Sequence, residues 1–177
     1  MNILITGACG VTPRAIARSL SKSKFFINAS LIGTDLCNNL YGLYEGLFDR
    51  IYKVPPANDP TYPGFINDIC EREKIDLAIV SPESDAIFIA IYPKPVSILL
   101  PPVEFCKISI SKCKLYEALD GTKLVPSFSI VRQSNLIKNS AIEIMSFPIW
   151  ARDYSEASSS GKGAMCLQSM DELKAWA

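Results

Sequence analysis

An open α/β sheet of parallel strands, followed by a smaller α+β piece, is the fold class this sequence predicts. Three observations carry it. Short apolar runs alternate with segments of helical periodicity over the first hundred residues. Those runs stop at glycine, aspartate or proline turns, among them Pro55-Pro56 and Pro101-Pro102. The alternation ceases after Pro102, and shorter elements in a different order follow. Strands separated by helices pair in parallel through crossovers, which is the rule behind the prediction.

Taken in order, residues 2–6 read as a buried strand. Gly7-Ala8-Cys9-Gly10 turns the chain into a helix over 13–21, with Ile16 and Leu20 on one face. Residues 29–33 form a second strand closing on Thr34-Asp35, and 50–54 a third. A helix over 65–74 spaces Phe65, Ile66, Ile69 and Cys70 for one buried face. A fourth strand, 77–80, ends at Ser81-Pro82; Glu83 is expected in a solvated turn, with Ser84 or Asp85 capping the next helix. The fifth strand is 97–100. Beyond it, 103–119 is helical with a break near 109–111, 127–131 a strand and 135–145 a helix. Residues 149–152 and 164–167 are strands joined as a hairpin, and a helix begins at Asp171 and runs to 177. The change of rhythm puts a boundary between 102 and 110.

Composition narrows the function. Of 177 residues, 49% are hydrophobic, enough for a buried core. Eighteen basic residues balance eighteen acidic ones, so no broad field draws nucleic acid or an anionic membrane. No apolar run nears the roughly 20 residues of a membrane span. Histidine is absent, which removes the commonest metal ligand and the usual neutral-pH general base. Six cysteines without a Cys-x-x-Cys pair, and a chain opening directly on a strand, lead to the expectation of reduced thiols in a cytoplasmic protein.

Chemistry concentrates in the last third. Phe147-Pro148-Ile149-Trp150-Ala151-Arg152 is a short apolar strand ending on a cation. A small-residue loop with a second cation follows: Ser158, Ser159, Ser160, Gly161, Lys162 and Gly163. Glycine and serine let backbone N–H groups approach an anion while Arg152 and Lys162 supply charge, the construction of a flap over polyphosphate. Upstream, Ser111-Lys112 opens a helix, with Lys107 and Lys114 as neighbouring cations. The bland alternatives are a solvated basic helix face and a plain serine-tipped hairpin.

Near the start, the Gly7 to Gly10 turn offers N–H groups at a helix N-terminus, which can hold a pyrophosphate, and Asp35 stands where a ribose-binding acid would. An NAD-binding dehydrogenase or epimerase is the rival reading. Pro13 occupies the place of that pattern's last glycine, and no tyrosine is followed by lysine at the fourth position.

In order and spacing the two cation-bearing segments resemble the front half of an ATP-grasp domain. Lys112 matches the lysine of the Asp-Lys pair that opens the family's helix, with Ser111 replacing aspartate. Arg152 matches the cation ending the Phe-Pro strand, with Asp153 where proline is usual. Gly33-Thr34-Asp35, the 71–76 stretch and Ser81-Pro82-Glu83-Ser84-Asp85 fit the preceding α/β unit, although Ile87 stands at a usual glutamate position. The resemblance implies a Rossmann-like pre-ATP-grasp domain over 1–105 and a partial ATP-grasp domain, its first lobe, over 106–177. It implies ATP as ligand, held by Lys112, Arg152 and the 158–163 loop, with Mg2+ only in the complete enzyme. The activity implied is that of a carbamoyl-phosphate-synthase-like carboxylate–amine ligase working through an acyl phosphate on a small carboxylate. The magnesium carboxylates belong to a later lobe, so no catalytic or metal residue is assigned. The expectation is a truncated chain, inactive alone, with apolar surface exposed or buried by self-association or a partner chain. A non-catalytic scaffold is the third reading.

Overall fold

The structure is a computed structural model describing residues 1–37, 41–91, 96–131, 146–152 and 163–176. The chain divides into two compact units, Met1–Cys106 and Lys107–Ala177.

The first unit is built on β1 (Asn2–Thr6), whose Ile3, Leu4 and Ile5 are wholly buried. A strand apolar at successive positions has both faces covered, as a central parallel strand must. Around it lie β2 (Ser30–Asp35), β3 (Arg50–Lys53), β4 (Leu77–Ile79) and β5 (Ser97–Leu99), in the order β3-β2-β1-β4-β5, every pair parallel. The predicted open parallel sheet is borne out. Register follows the side-chain alternation: Leu4 and Ile32 enter one core cluster, Ile3, Ile5 and Leu31 the other.

Each face receives helices whose apolar stripes match it. On one, α1 (Val11–Lys22) buries Ala17 and packs Ile16 and Leu20. α2 (Tyr41–Tyr44) is one short turn before Phe48, a segment with too little periodicity to be foreseen. The opposite face is covered by α3 (Tyr62–Arg72), with Tyr62, Ile66, Ile69 and Cys70 buried, and by α4 (Glu83–Ile91), with Ile89 buried. Helix α3 starts a turn earlier than periodicity suggested, because Pro63 sits in the first turn, where its missing N–H costs nothing. Helix α4 corrects two expectations. Glu83 opens it instead of lying in a turn, and Ser84 and Asp85 stand inside the first turn instead of capping it. Two carboxylates there favour the helix through its dipole, an effect a cap search overlooks.

At the far end of α3, Glu73 ties sheet to helix. It accepts from the Tyr52 hydroxyl and from Arg50 Nη1 at 2.9 and 3.0 Å, and its carbonyl accepts from Asn2 Nδ2 at 2.6 Å.

Helix α5 (Val103–Ser109) crosses the unit boundary. In the second unit the predicted helix break is real: Ser111 starts α6 (Lys112–Ala118), its buried Oγ accepting from the Lys114 amide at 3.4 Å. Antiparallel β6 (Ile149–Arg152) and β7 (Ala164–Leu167) form the predicted hairpin. It packs on α7 (Met170–Trp176), which Ser169 caps by accepting from the Glu172 amide at 3.2 Å. Residues 127–131 are a correction: they form no strand, since an extended segment becomes one only when a neighbour completes its ladder. Phe128 instead meets Tyr116 edge-on at 5.4 Å. The helix expected over 135–145 lies outside the described residues.

Candidate functional site

Three places in the fold gather chemistry-bearing residues. The first is the end of the hairpin. Its last backbone pair is Arg152 opposite Ala164, so the segment joining the strands leaves and returns at the arginine. Arg152 is exposed, and Gly163, at φ 67°, makes the return turn in a region costly for other residues. The structure therefore brings Arg152 and Gly163 to one end of β6–β7. Ser158, Ser159, Ser160, Gly161 and Lys162 lie outside the described residues. Lys112 is the first residue of α6, partly exposed, on a separate element of the same unit. A broad groove in this unit, lined by Glu117, Asp120, Ser127 and Phe128, carries two carboxylates and no cation, which suits it poorly to phosphate.

The glycine turn after β1 is the second place, and here geometry decides between readings. The Ala8 amide donates to the Thr34 carbonyl at 2.9 Å, and the Gly10 amide to the Gly7 carbonyl at 2.8 Å. The Cys9 amide donates to Asp35 Oδ2 at 2.8 Å, while Oδ1 accepts from the Cys37 amide at the same length. The donors that would cradle a pyrophosphate are spent inside the protein, and the acid that would hold a ribose locks the turn. Pro82 closes over it as well: a Cβ on Gly7, whose φ is +69°, would lie 2.6 Å from Pro82 Cγ. These glycines serve close packing of turn, β2 and the β4–α4 connection, which counts against a dinucleotide there.

Sequence reading missed the third place, the crevice where strand order reverses between β1 and β4. Thr6 ends β1 and pairs in register with Thr34 of β2, both 1% exposed or less. Tyr62, from the start of α3, is equally buried on the same face as Leu4 and Ile32. Asp85, one turn before Ile89 on α4, interacts with Tyr62, Thr6 and Ser84 and feels the Asp35 carboxylate. Burial, the leading cause, pushes the Asp85 carboxyl above its ordinary range and the Tyr62 phenol likewise upward. Thr6 Oγ1 accepts from the Ser81 amide at 3.2 Å, but the Thr34 and Tyr62 hydroxyls have no hydrogen-bond partner. A narrow apolar cavity continues behind Thr6 and Tyr62, walled by Leu4, Ile66, Ala78 and Ile98. The only sequence signal was a threonine at the end of each of two consecutive strands.

None of the six cysteines joins another in a disulfide. No described helix is long and apolar enough to cross a membrane.

No family model matches the sequence, and no curated protein matches it. Solved structures do. N5-carboxyaminoimidazole synthetase from Staphylococcus aureus, complexed with ADP, superposes with a TM-score of 0.61 at 16% identity, over 99% of this chain and 43% of that one. The biotin carboxylase domain of the Hydrogenobacter thermophilus 2-oxoglutarate carboxylase, a dimer in complex with MgADP, ADP and bicarbonate, gives 0.59 at 17% identity, over 97% and 38%. The chain thus spans about two fifths of the length of these neighbours. At such identity the likeness speaks to fold alone, and on fold it agrees with the expectation drawn from the two cation-bearing segments. This chain has the fold of part of an ATP-grasp ligase, an open parallel α/β sheet followed by a small antiparallel hairpin.

Proposed function

We propose that the Lys107–Ala177 unit binds the phosphates of ATP, with Arg152, Lys112 and the 158–163 loop as their donors. The observation that carries this reading is the Arg152–Ala164 pair, which roots a serine- and glycine-rich loop beside a cation at the hairpin's end. Phosphate oxygens take charge-assisted donors, and guanidinium offers them as a rigid fork. The ADP carried by both structural neighbours supports a nucleotide as the ligand class.

We further infer that the chain forms part of an ATP-dependent carboxylate–amine ligase of the carbamoyl-phosphate-synthase-like kind. In such a reaction ATP phosphorylates a carboxylate, and an amine displaces phosphate from the acyl phosphate. The residues 1–105 then serve as a pre-ATP-grasp domain and 106–177 as the first lobe of the ATP-grasp domain. Among the described residues no group of three or more His, Cys, Asp or Glu side chains can hold a metal ion, so no step is routed through magnesium.

Calorimetry with ATP on the wild type and on Arg152→Ala tests the reading. Binding of roughly millimolar order is expected, weakened at least tenfold, about 1.4 kcal/mol, by the substitution. Tight binding that ignores both magnesium and Arg152→Ala would move the nucleotide elsewhere. A parallel titration with NAD, expected to be silent, separates the dinucleotide reading.

A further inference from the structure

We propose that the crevice at the carboxyl edge of the parallel sheet, walled by Thr6, Thr34, Tyr62 and Asp85, binds a small ligand through a protonated nitrogen. The proposal concerns the Met1–Cys106 unit and stands independently of the nucleotide reading, which rests on Arg152 in the other unit.

Position is the first argument. In open α/β sheets ligands settle outside the carboxyl ends of the strands, where strand order reverses. Here that point lies between β1 and β4, with Thr6 at its floor. Unmet hydrogen bonding is the second. The hydroxyls of Tyr62 and Thr34 belong to residues 1% exposed, and neither has a partner. A buried hydroxyl left unsatisfied costs about 1–3 kcal/mol. Two of them on one face at one rim mark a place where the polar partner comes from outside the chain.

Charge selects the ligand. Asp85 turns toward Tyr62 and Thr6 and lies within the field of Asp35, and no lysine or arginine acts on it. A part-buried carboxylate without a cation is relieved either by a proton or by a positive ligand. A primary ammonium group suits the walls: its three N–H donors have a carboxylate and two hydroxyl oxygens to meet. A carboxylate or phosphate finds two acids and no cation. Asp85 is only partly buried, which leaves a way in, and the narrow cavity behind it limits the group to a small head.

The test is thermal unfolding of the full chain at pH 7 and constant ionic strength, with methylammonium chloride against tetramethylammonium chloride and sodium acetate. Methylammonium should raise Tm with concentration, whereas tetramethylammonium, which has no N–H, and acetate should not. Asp85→Asn should weaken the apparent methylammonium affinity at least tenfold, and Tyr62→Phe should weaken it less. Should either variant fail to fold, amide chemical shifts of the wild type decide: methylammonium must move Thr6, Thr34, Tyr62 and Asp85 before other residues. An equal response to both ammonium ions, stabilisation by acetate, or an unaltered response in Asp85→Asn would overturn the proposal and leave the hydroxyls to water.

Discussion

The two units handle their apolar residues in opposite ways. Met1–Cys106 buries isoleucines, leucines and alanines on both faces of a five-stranded sheet, with helices supplying each cover. In Lys107–Ala177, among the described residues, only Leu167 and Leu173 are buried apolar side chains, while Trp150 is 77% and Leu124 76% exposed. The difference is one of layers. A parallel sheet cannot exist half-covered, because its crossovers bring the covering helices with them. A two-stranded hairpin against one short helix satisfies one face and leaves the other open. Stability therefore belongs to the first unit, and exposed chemistry to the second.

The largest test of this contrast pairs two truncations. Leu4→Ala removes a wholly buried side chain and should cost about 2–5 kcal/mol in denaturant unfolding. Trp150→Ala removes a larger but exposed side chain, and should shift stability by no more than about 0.5 kcal/mol. Comparable losses would show that the open hairpin face is covered in solution.

A smaller pair probes the glycine turn. Gly7→Ala meets both a positive φ and Pro82, and should destabilise by about 1–3 kcal/mol without touching ATP affinity. Gly64→Ala, in the first turn of α3 with nothing within 4 Å of the new Cβ, should instead stabilise by about 0.5–1 kcal/mol. Thermal melts of the two variants, moving Tm in opposite directions, would confirm that the Gly7 turn is fastened by packing.

Acid titration separates two carboxyls of the first unit. The folded Asp85 carboxyl sits above its unfolded value, chiefly through burial, so its stabilising contribution is full at low pH and is lost as pH rises through the folded value. Asp85→Asn should accordingly raise Tm at pH 7, with the gain vanishing below the ordinary carboxylate range. Glu73 lies on the other side: the Tyr52 hydroxyl first, then Arg50, hold its carboxyl below the usual value. Its contribution is present above the unfolded value and fades as pH falls through the lower folded one. Glu73→Gln, the mildest change, should lower Tm by about 2–4 °C at neutral pH and by less in acid. Parallel pH profiles for both variants would contradict these assignments.

Much of the architecture was legible because it rests on local periodicity. Successive apolar residues at 2–6 and 30–35 mark doubly covered strands, and the stripe Ile66, Ile69, Cys70 marks a helix face. Ser111 as a cap and the hairpin of 149–152 with 164–167 likewise follow from short-range chemistry. The stretch 127–131 was misread because strand formation needs a partner that its own residues cannot supply. The crevice was invisible for a similar reason: Thr6, Thr34, Tyr62 and Asp85 belong to four different elements, and no spacing along the chain announces their meeting.

By itself the sequence determined the alternation of strands and helices, the cations of the second unit and their order, since hydrophobic period and turn residues act over a few positions. Only the tertiary structure decided what the turn amides and buried hydroxyls do. The Cys9 amide is spent on Asp35, and the Tyr62 hydroxyl is left without a partner, because parallel crossovers bring distant residues to one sheet edge where each polar group must find its bond in three dimensions.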